Sequence, residues 1–231
     1  PQVVNINYFE STLSPYGNWV DVPDYGRCWQ PTVVVINRNW RPYADRGRWL
    51  YTTSGWYWQS DYSWGWAPFH YGRWHNDNRI GWVWVPGTTW GPAWVSWRYT
   101  DQYCGWAPLP PSARYYSGIG FYYQNSRVGI GFDFGLSYGC YTFIPTSRFC
   151  DYTPYRYYVS GSHSKPIYNN SVVINNYVRG NNNTIINEGI GREQITRVTH
   201  TPIRTVALRE LPKTTSPMTS RVERLEGNSL T

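Results

Sequence analysis

Between Trp19 and Trp106 large aromatic residues alternate with small or polar ones at a period of two, and glycine or proline interrupts the alternation every few residues. Residues two apart point to one side of a strand, so Trp56 with Trp58, Trp64 with Trp66, and Trp82 with Trp84 are same-face pairs. A unit recurs in this stretch. Gly47-Arg48-Trp49, Gly55-Trp56-Tyr57-Trp58 and Trp64 return as Gly72-Arg73-Trp74, Gly81-Trp82-Val83-Trp84 and Trp90, at offsets of 25, 26 and 26 residues. Tyr16-Gly17-Asn18-Trp19 and Gly105-Trp106-Ala107-Pro108 are partial copies at its two ends. Each unit reads as two short strands with a tight connection, and neighbouring units bury a shared indole face that none could bury alone.

Beyond residue 110 the pattern changes. Gly118-Ile119-Gly120-Phe121 and Gly129-Ile130-Gly131-Phe132 are copies 11 apart, separated by Gln124-Asn125-Ser126, and predict a hairpin. Residues 169–187 hold eight Asn, and Ser171-Val172-Val173-Ile174-Asn175-Asn176 resembles Asn183-Thr184-Ile185-Ile186-Asn187-Glu188 at an offset of 12. These are β-prone arms with few of the charges or prolines that blunt an exposed edge. The organisation expected is an extended N-terminal arm at 1–12, a Trp-rich repeat domain at 13–110, a Gly/aromatic hairpin region at 111–166, and Asn-rich arms with a Thr/Ser-rich tail at 167–231.

Composition sharpens this into a fold class. Aromatics make up 19% of the 231 residues against 15% charged, which argues against disorder. Ala, Leu, Met, Glu and Lys together supply 23 residues, about a tenth of the chain, which leaves little for helices. The class predicted is all-β, with the Trp units arranged either as an SH3-like barrel or as stacked hairpins.

The net charge of +7 lies in the second half, where 13 Arg/Lys face 7 acids, against 8 and 7 in residues 1–110. The basic residues are dispersed singly, as at Arg179, Arg192, Arg197, Arg204 and Arg209, which argues against nucleic acid as a partner. With only two lysines, an Arg/aromatic lattice is the simpler use of the charge. Cys28, Cys104, Cys140 and Cys150 show no C-x-x-C spacing and predict disulfides rather than a zinc site. Cys140 with Cys150 would close a short loop and Cys28 with Cys104 would clip the Trp-rich region, although four cysteines allow three pairings. No segment has the ~18–20 apolar residues a spanning helix needs. The start at Pro1, without Met or signal peptide, suits a processed, exported protein.

Candidate chemistry is sparse. Gly135-Leu136-Ser137-Tyr138-Gly139, with Asp151 and His163 following, matches a nucleophile-elbow pattern, but no strand-to-helix turn on a parallel sheet accompanies it. Gly129-Ile130-Gly131 is half a dinucleotide fingerprint without its βαβ unit. His70, His75 and Asp77 could ligate a metal, yet His70 in Pro68-Phe69-His70-Tyr71 reads better as a structural histidine. The six Asp of the Trp region sit mostly in turns rather than as a catalytic pair. No enzyme, metal or cofactor is expected. The Trp pairs could form a sugar-stacking platform, for which Trp56, Trp58, Trp82 and Trp84 are the candidates. The Asn169-Asn170-Ser171 and Asn182-Asn183-Thr184 sequons fit strand-to-strand Asn pairing better than glycosylation.

Four longer motifs carry a family resemblance: Leu13-Ser14-Pro15-Tyr16-Gly17-Asn18-Trp19, Trp64-Gly65-Trp66-Ala67-Pro68-Phe69-His70-Tyr71-Gly72-Arg73-Trp74, Trp90-Gly91-Pro92-Ala93-Trp94-Val95-Ser96-Trp97-Arg98 and Gly105-Trp106-Ala107-Pro108-Leu109-Pro110. With Phe143-Ile144-Pro145 and Arg148-Phe149-Cys150 they resemble an uncharacterised Trp-rich family of predicted exported proteins of Gram-negative bacteria, over about residues 8–210. The resemblance implies export and a β-rich architecture, and it assigns no activity and no functional residues.

The function expected is that of an exported structural protein, extracellular or in the cell envelope, that self-assembles into a filament or ring by β-strand addition between copies. Val172, Ile174, Tyr177, Ile185 and Ile186 are the candidate assembly-arm residues. On this reading residues 167–231 are dispensable for folding of the Trp domain. The alternative is a cell-wall or polysaccharide-binding module using exposed Trp pairs.

Overall fold

The structure, a computed structural model, describes residues 5–208, 223, 225–226 and 228–230. The Thr/Ser-rich tail from Pro212 therefore falls largely outside the described residues, as do the first four positions. The chain is mostly β, as its composition predicts.

The Trp-rich stretch forms four antiparallel hairpins: β1 (Gly17–Val22) with β2 (Gly26–Pro31), β3 (Gly47–Thr52) with β4 (Gly55–Ser60), β5 (Arg73–Asp77) with β6 (Gly81–Val85), and β7 (Val95–Tyr99) with β8 (Tyr103–Pro108). Each places one Trp directly opposite another: Trp19 and Trp29, Trp49 and Trp58, Trp74 and Trp84, Trp97 and Trp106. The two glycines of the repeated unit do different work. In the first strand, a Cβ on Gly17 would stand 2.8 Å from the ring of Trp29, and one on Gly47 would stand 2.6 Å from the ring of Trp58. Only glycine lets the partner strand's indole lie over the backbone. In the second strand the glycine ends the turn with positive φ, at +70° in Gly26, +79° in Gly55 and +83° in Gly81.

The remaining strands are β9 (Arg114–Tyr116), β10 (Gly120–Tyr123), β11 (Ser126–Arg127), β12 (Thr142–Pro145), β13 (Val172–Ile174), β14 (Tyr177–Arg179), β15 (Ile185–Asn187), β16 (Thr205–Leu208), β17 (Leu225–Glu226) and β18 (Ser229–Leu230). The first and third hairpins complete each other in a sheet of order β1-β2-β6-β5. The other two are completed from the second half of the chain. β12 and β13 flank the fourth hairpin as β12-β8-β7-β13, and β15 and β16 flank the second, within β14-β15-β4-β3-β16-β18-β17. All six residues of β4 are consequently buried.

The strands expected to serve as assembly arms are thus paired within the chain. Ile174 lies opposite Trp97, Tyr177 opposite Asn187, and Ile185 and Ile186 pair with Arg179 and Val178. Tyr177 and Ile185 are buried; Val172 alone of the five stays exposed. The outer side of β13 is met by the loop at 129–132, where the Asn175 N–H donates to the Ile130 carbonyl.

Two further expectations are corrected. Residues 6–12 are no extended arm, because α1 (Ile6–Leu13), capped by Asn5, sinks Phe9 and Leu13 into the core. Of the two Gly-Ile-Gly-Phe copies only the first contributes a strand, β10, which turns at Gln124 and Asn125, both with positive φ, into β11. A short helix, α2 (Thr32–Ile36), follows β2, and helices α3 (Gly161–Asn170) and α4 (Arg192–Thr199) bracket the arms.

The core is a continuous aromatic mass that includes Trp29, Trp49, Trp56, Trp58, Trp84, Trp97 and Trp106. An indole buries ~150–250 Å², so each contributes about 4–6 kcal/mol of gross burial at ~25 cal/mol/Å², more than any aliphatic residue could at the same position. The Arg/aromatic lattice is real: Arg73 lies 3.8 Å over the Trp94 ring and Arg98 lies 3.8 Å over Tyr168.

Candidate functional site

The Trp platform suggested by the sequence is core. Trp56, Trp58 and Trp84 are fully buried, and Trp82 is half-buried against the same cluster. The Trp56 indole N–H donates to the Ile190 carbonyl at 2.7 Å while its ring meets Phe149 edge to face at 4.8 Å. The Trp84 N–H donates to the Tyr71 carbonyl at 2.7 Å, and its ring stands edge to face with Phe9 at 5.0 Å. None of these three can offer a ring face to a sugar. Trp56 with Trp58 and Trp82 with Trp84 do alternate along one strand, whereas Trp64 and Trp66 lie in a turn between β4 and β5 and not on a strand.

The other chemistry-bearing groups are also tied into structure. His70 is sandwiched between Tyr57 and Trp90, with one ring nitrogen 3.1 Å from the Gly91 carbonyl and the other 3.0 Å from Glu223. His75 packs on Tyr25, where burial lowers its pKa, and Asp77 accepts the Arg79 and Ile80 N–H groups of its own turn. Asp151 pairs with Arg148, His163 with Ser160, and Ser137 faces Cys140, so the elbow-like set is dispersed among separate partners. Among the described residues no three His, Cys, Asp or Glu side chains converge as metal ligands, and no helix is long and apolar enough to cross a membrane.

All four cysteines are unbonded, and the expected pairings are not formed. Cys28 belongs to a small cluster with Val22 and Val83 while Cys104 lies in the main core, which separates that pair. Burial, and then the charge of Asp21, raises the Cys28 thiol to about 11, and burial raises the Cys104 thiol further still.

One face does present aromatic and polar side chains to solvent together. It is the outer side of the three-stranded sheet β11-β10-β9. Alternation sends Tyr115, Phe121 and Tyr123 inward onto the second aromatic cluster and leaves Arg114, Tyr116 and Tyr122 on the opposite side. Tyr122 lies directly opposite Arg114 on one neighbour and Arg127 on the other. The Tyr116 and Tyr122 rings meet edge to face at 5.1 Å and 83°. They line an open cleft of about 520 Å³ whose polar margin is supplied by Ser112, Arg114, Gln124 and Asn125. Tyr116 is 46% exposed. Among the described residues no carboxylate lines the cleft.

The repeat-based reading passed over these residues, although the sequence carries a signal for them. Arg114-Tyr115-Tyr116 and Phe121-Tyr122-Tyr123 can each bury only alternate aromatics, and no Asp or Glu occurs between Asp101 and Asp133.

Residues 10–113 match the model of a family of unknown function (DUF6600). The match covers all four Trp hairpins and stops one residue short of β9, so the tyrosine face lies in the part of the chain beyond it. No curated protein and no solved structure matches.

Proposed function

We propose that this chain is an exported, non-catalytic polysaccharide-binding protein whose binding surface is the Tyr116/Tyr122 face. The carrying observation is the pair of edge-to-face tyrosines at the floor of a solvent-open cleft rimmed by Ser112, Gln124 and Asn125. A pyranose offers an apolar C–H face and a ring of hydroxyls; an amphipathic aromatic surface with amide and hydroxyl groups at its margin matches both. The Trp hairpins, packed on a shared aromatic core, supply the body that carries the short sheet.

Retention on immobilised polysaccharides tests the reading. Tyr116→Ala and Tyr122→Ala are expected to cut retention about tenfold, a loss of about 1.4 kcal/mol per substitution, while the circular dichroism spectrum is unchanged. Equal retention of both variants and the parent would remove the face from consideration.

A further inference from the structure

Arg114 lines the tyrosine cleft, Arg127 flanks it across the ladder from Tyr122 and Arg179 stands at the adjoining β9–β10 turn, with no carboxylate among the described residues to answer them. The turn between β9 and β10, whose Ile119 lines the cleft, has a guanidinium at each of its two glycines. A Cβ on Gly118 would be 3.5 Å from Arg179 Nη1, and one on Gly120 would be 3.9 Å from Arg127 Nε. Arg114, Arg127 and Arg179 are all exposed. None has an acidic partner among the described residues, where the arginine ion pairs are those of Arg27 and Arg148. Elsewhere in this protein arginines are laid on rings or bonded to carbonyls, as Arg73 is on Trp94 and Arg41 is to the carbonyl of Tyr141.

From this charge arrangement we infer that the glycan taken by the cleft is anionic, a polysaccharide carrying carboxylates, bound with its sugar rings on Tyr116 and Tyr122 and its charges toward Arg114, Arg127 and Arg179. The inference rests on the polysaccharide reading above and adds the ligand's chemical class. Guanidinium forks match carboxylates in two-point contacts, and the absence of acids from residues 102–132 removes the internal competitor. A neutral glycan would use the tyrosines and the amides and leave all three charges unanswered.

The probe is one backbone in two charge states, oligogalacturonate and its fully methyl-esterified form at equal length, measured by calorimetry on the full chain. The free acid is expected to bind at least about tenfold more tightly, to weaken steeply between low and high salt, and to lose about tenfold on Arg127→Gln combined with Arg179→Gln. The double variant should lose most of the preference for the acid over the ester. Equal, salt-independent binding of acid and ester would overturn the anionic assignment and leave the polysaccharide reading standing. Binding of neither form, with no retention on any other glycan, would overturn both. Tighter binding of a single-stranded oligonucleotide of the same charge would also overturn it, because stacking and backbone charge are what such a strand supplies.

Discussion

His70 Nε2 lies 3.0 Å from a carboxylate oxygen of Glu223, a residue 153 positions later in the chain. The same carboxylate accepts the Tyr57 hydroxyl at 2.7 Å and the Ser60 N–H at 3.0 Å, and the other nitrogen of His70 faces the Gly91 carbonyl. One buried acid therefore answers three groups of the second hairpin and its following loop. Burial, and then the Glu223 charge, holds the Tyr57 hydroxyl well above its ordinary range.

Replacing Glu223 by Ala leaves those partners buried without an acceptor and is expected to cost about 3–5 kcal/mol. Glu223→Gln keeps one oxygen and should cost less, about 1–3 kcal/mol. Urea unfolding followed by Trp fluorescence reads both; equal midpoints for Ala and parent would show that the carboxylate is incidental.

Gly47→Ala puts a methyl group 2.5 Å from the Gln59 carbonyl oxygen and 2.6 Å from the Trp58 ring. The expected loss is about 1–3 kcal/mol from overpacking alone, since no positive φ is involved. The matching strand of the fourth hairpin begins at Val95, so the demand belongs to the Gly-x-Trp hairpins and not to strands in general. A thermal midpoint within a degree of the parent would contradict the close-approach account.

The repeat was legible because its causes are local. An indole every second residue, a glycine under the facing indole and a glycine in the turn can all be read from Gly47-Arg48-Trp49 and Gly55-Trp56-Tyr57-Trp58. What covers those hairpins was not legible. Trp56 is capped by Ile190 and Trp97 by Asn187, 134 and 90 residues away, and no local pattern announces such partners. The arms around 172–187 were recognised as strands, yet their low charge suggested neighbouring copies, whereas that low charge suits strands inside one chain's own sheets. The exposed tyrosine face was not legible from the repeat, because the repeat is written in tryptophan, most of which lies in the core, while Tyr116 and Tyr122 lie outside it.

Alkali should unfold the protein. Burial raises Cys28 to about 11 and lifts Tyr43, Tyr57 and Tyr177 above their ordinary values, so the folded state holds these protons more tightly than the unfolded chain. Stability from these groups is complete below their unfolded pKa values, about 9 to 10, and falls as pH rises toward the folded ones. Tyrosinate absorbance is expected to appear for the buried tyrosines together with the loss of Trp fluorescence structure, not before it. In the native state at pH 8.5 the buried Cys28 thiol stays protonated, and iodoacetamide should label it only after denaturant is added.

Truncation after residue 166 removes β13, β15 and β16 from the flanks of two Trp hairpins, together with the acceptors for Trp56 and Trp97. The sequence alone suggested that such a fragment would keep a folded Trp domain. The structure leads to the opposite expectation: the fragment should aggregate or bind a hydrophobic dye, and a well-dispersed amide spectrum from it would show the hairpins to be self-sufficient.

With its arm strands paired internally, the full chain is expected to scatter light as a 27.1 kDa monomer. Regular particles of high mass would instead restore strand addition between copies as the main function.

The covering of early hairpins by late strands also sets a schedule for synthesis. A Trp hairpin can close in about 1–10 μs. The carbonyl that receives the Trp56 indole follows 134 residues later, which at ~5–20 residues per second is about 7–27 s of translation. During that interval the edges of β3, β4 and β7 have no partner from their own chain. Each new molecule therefore spends about a million times longer waiting for its closing strands than making its first hairpins, and whatever holds the growing chain in that interval protects it from pairing with its neighbours.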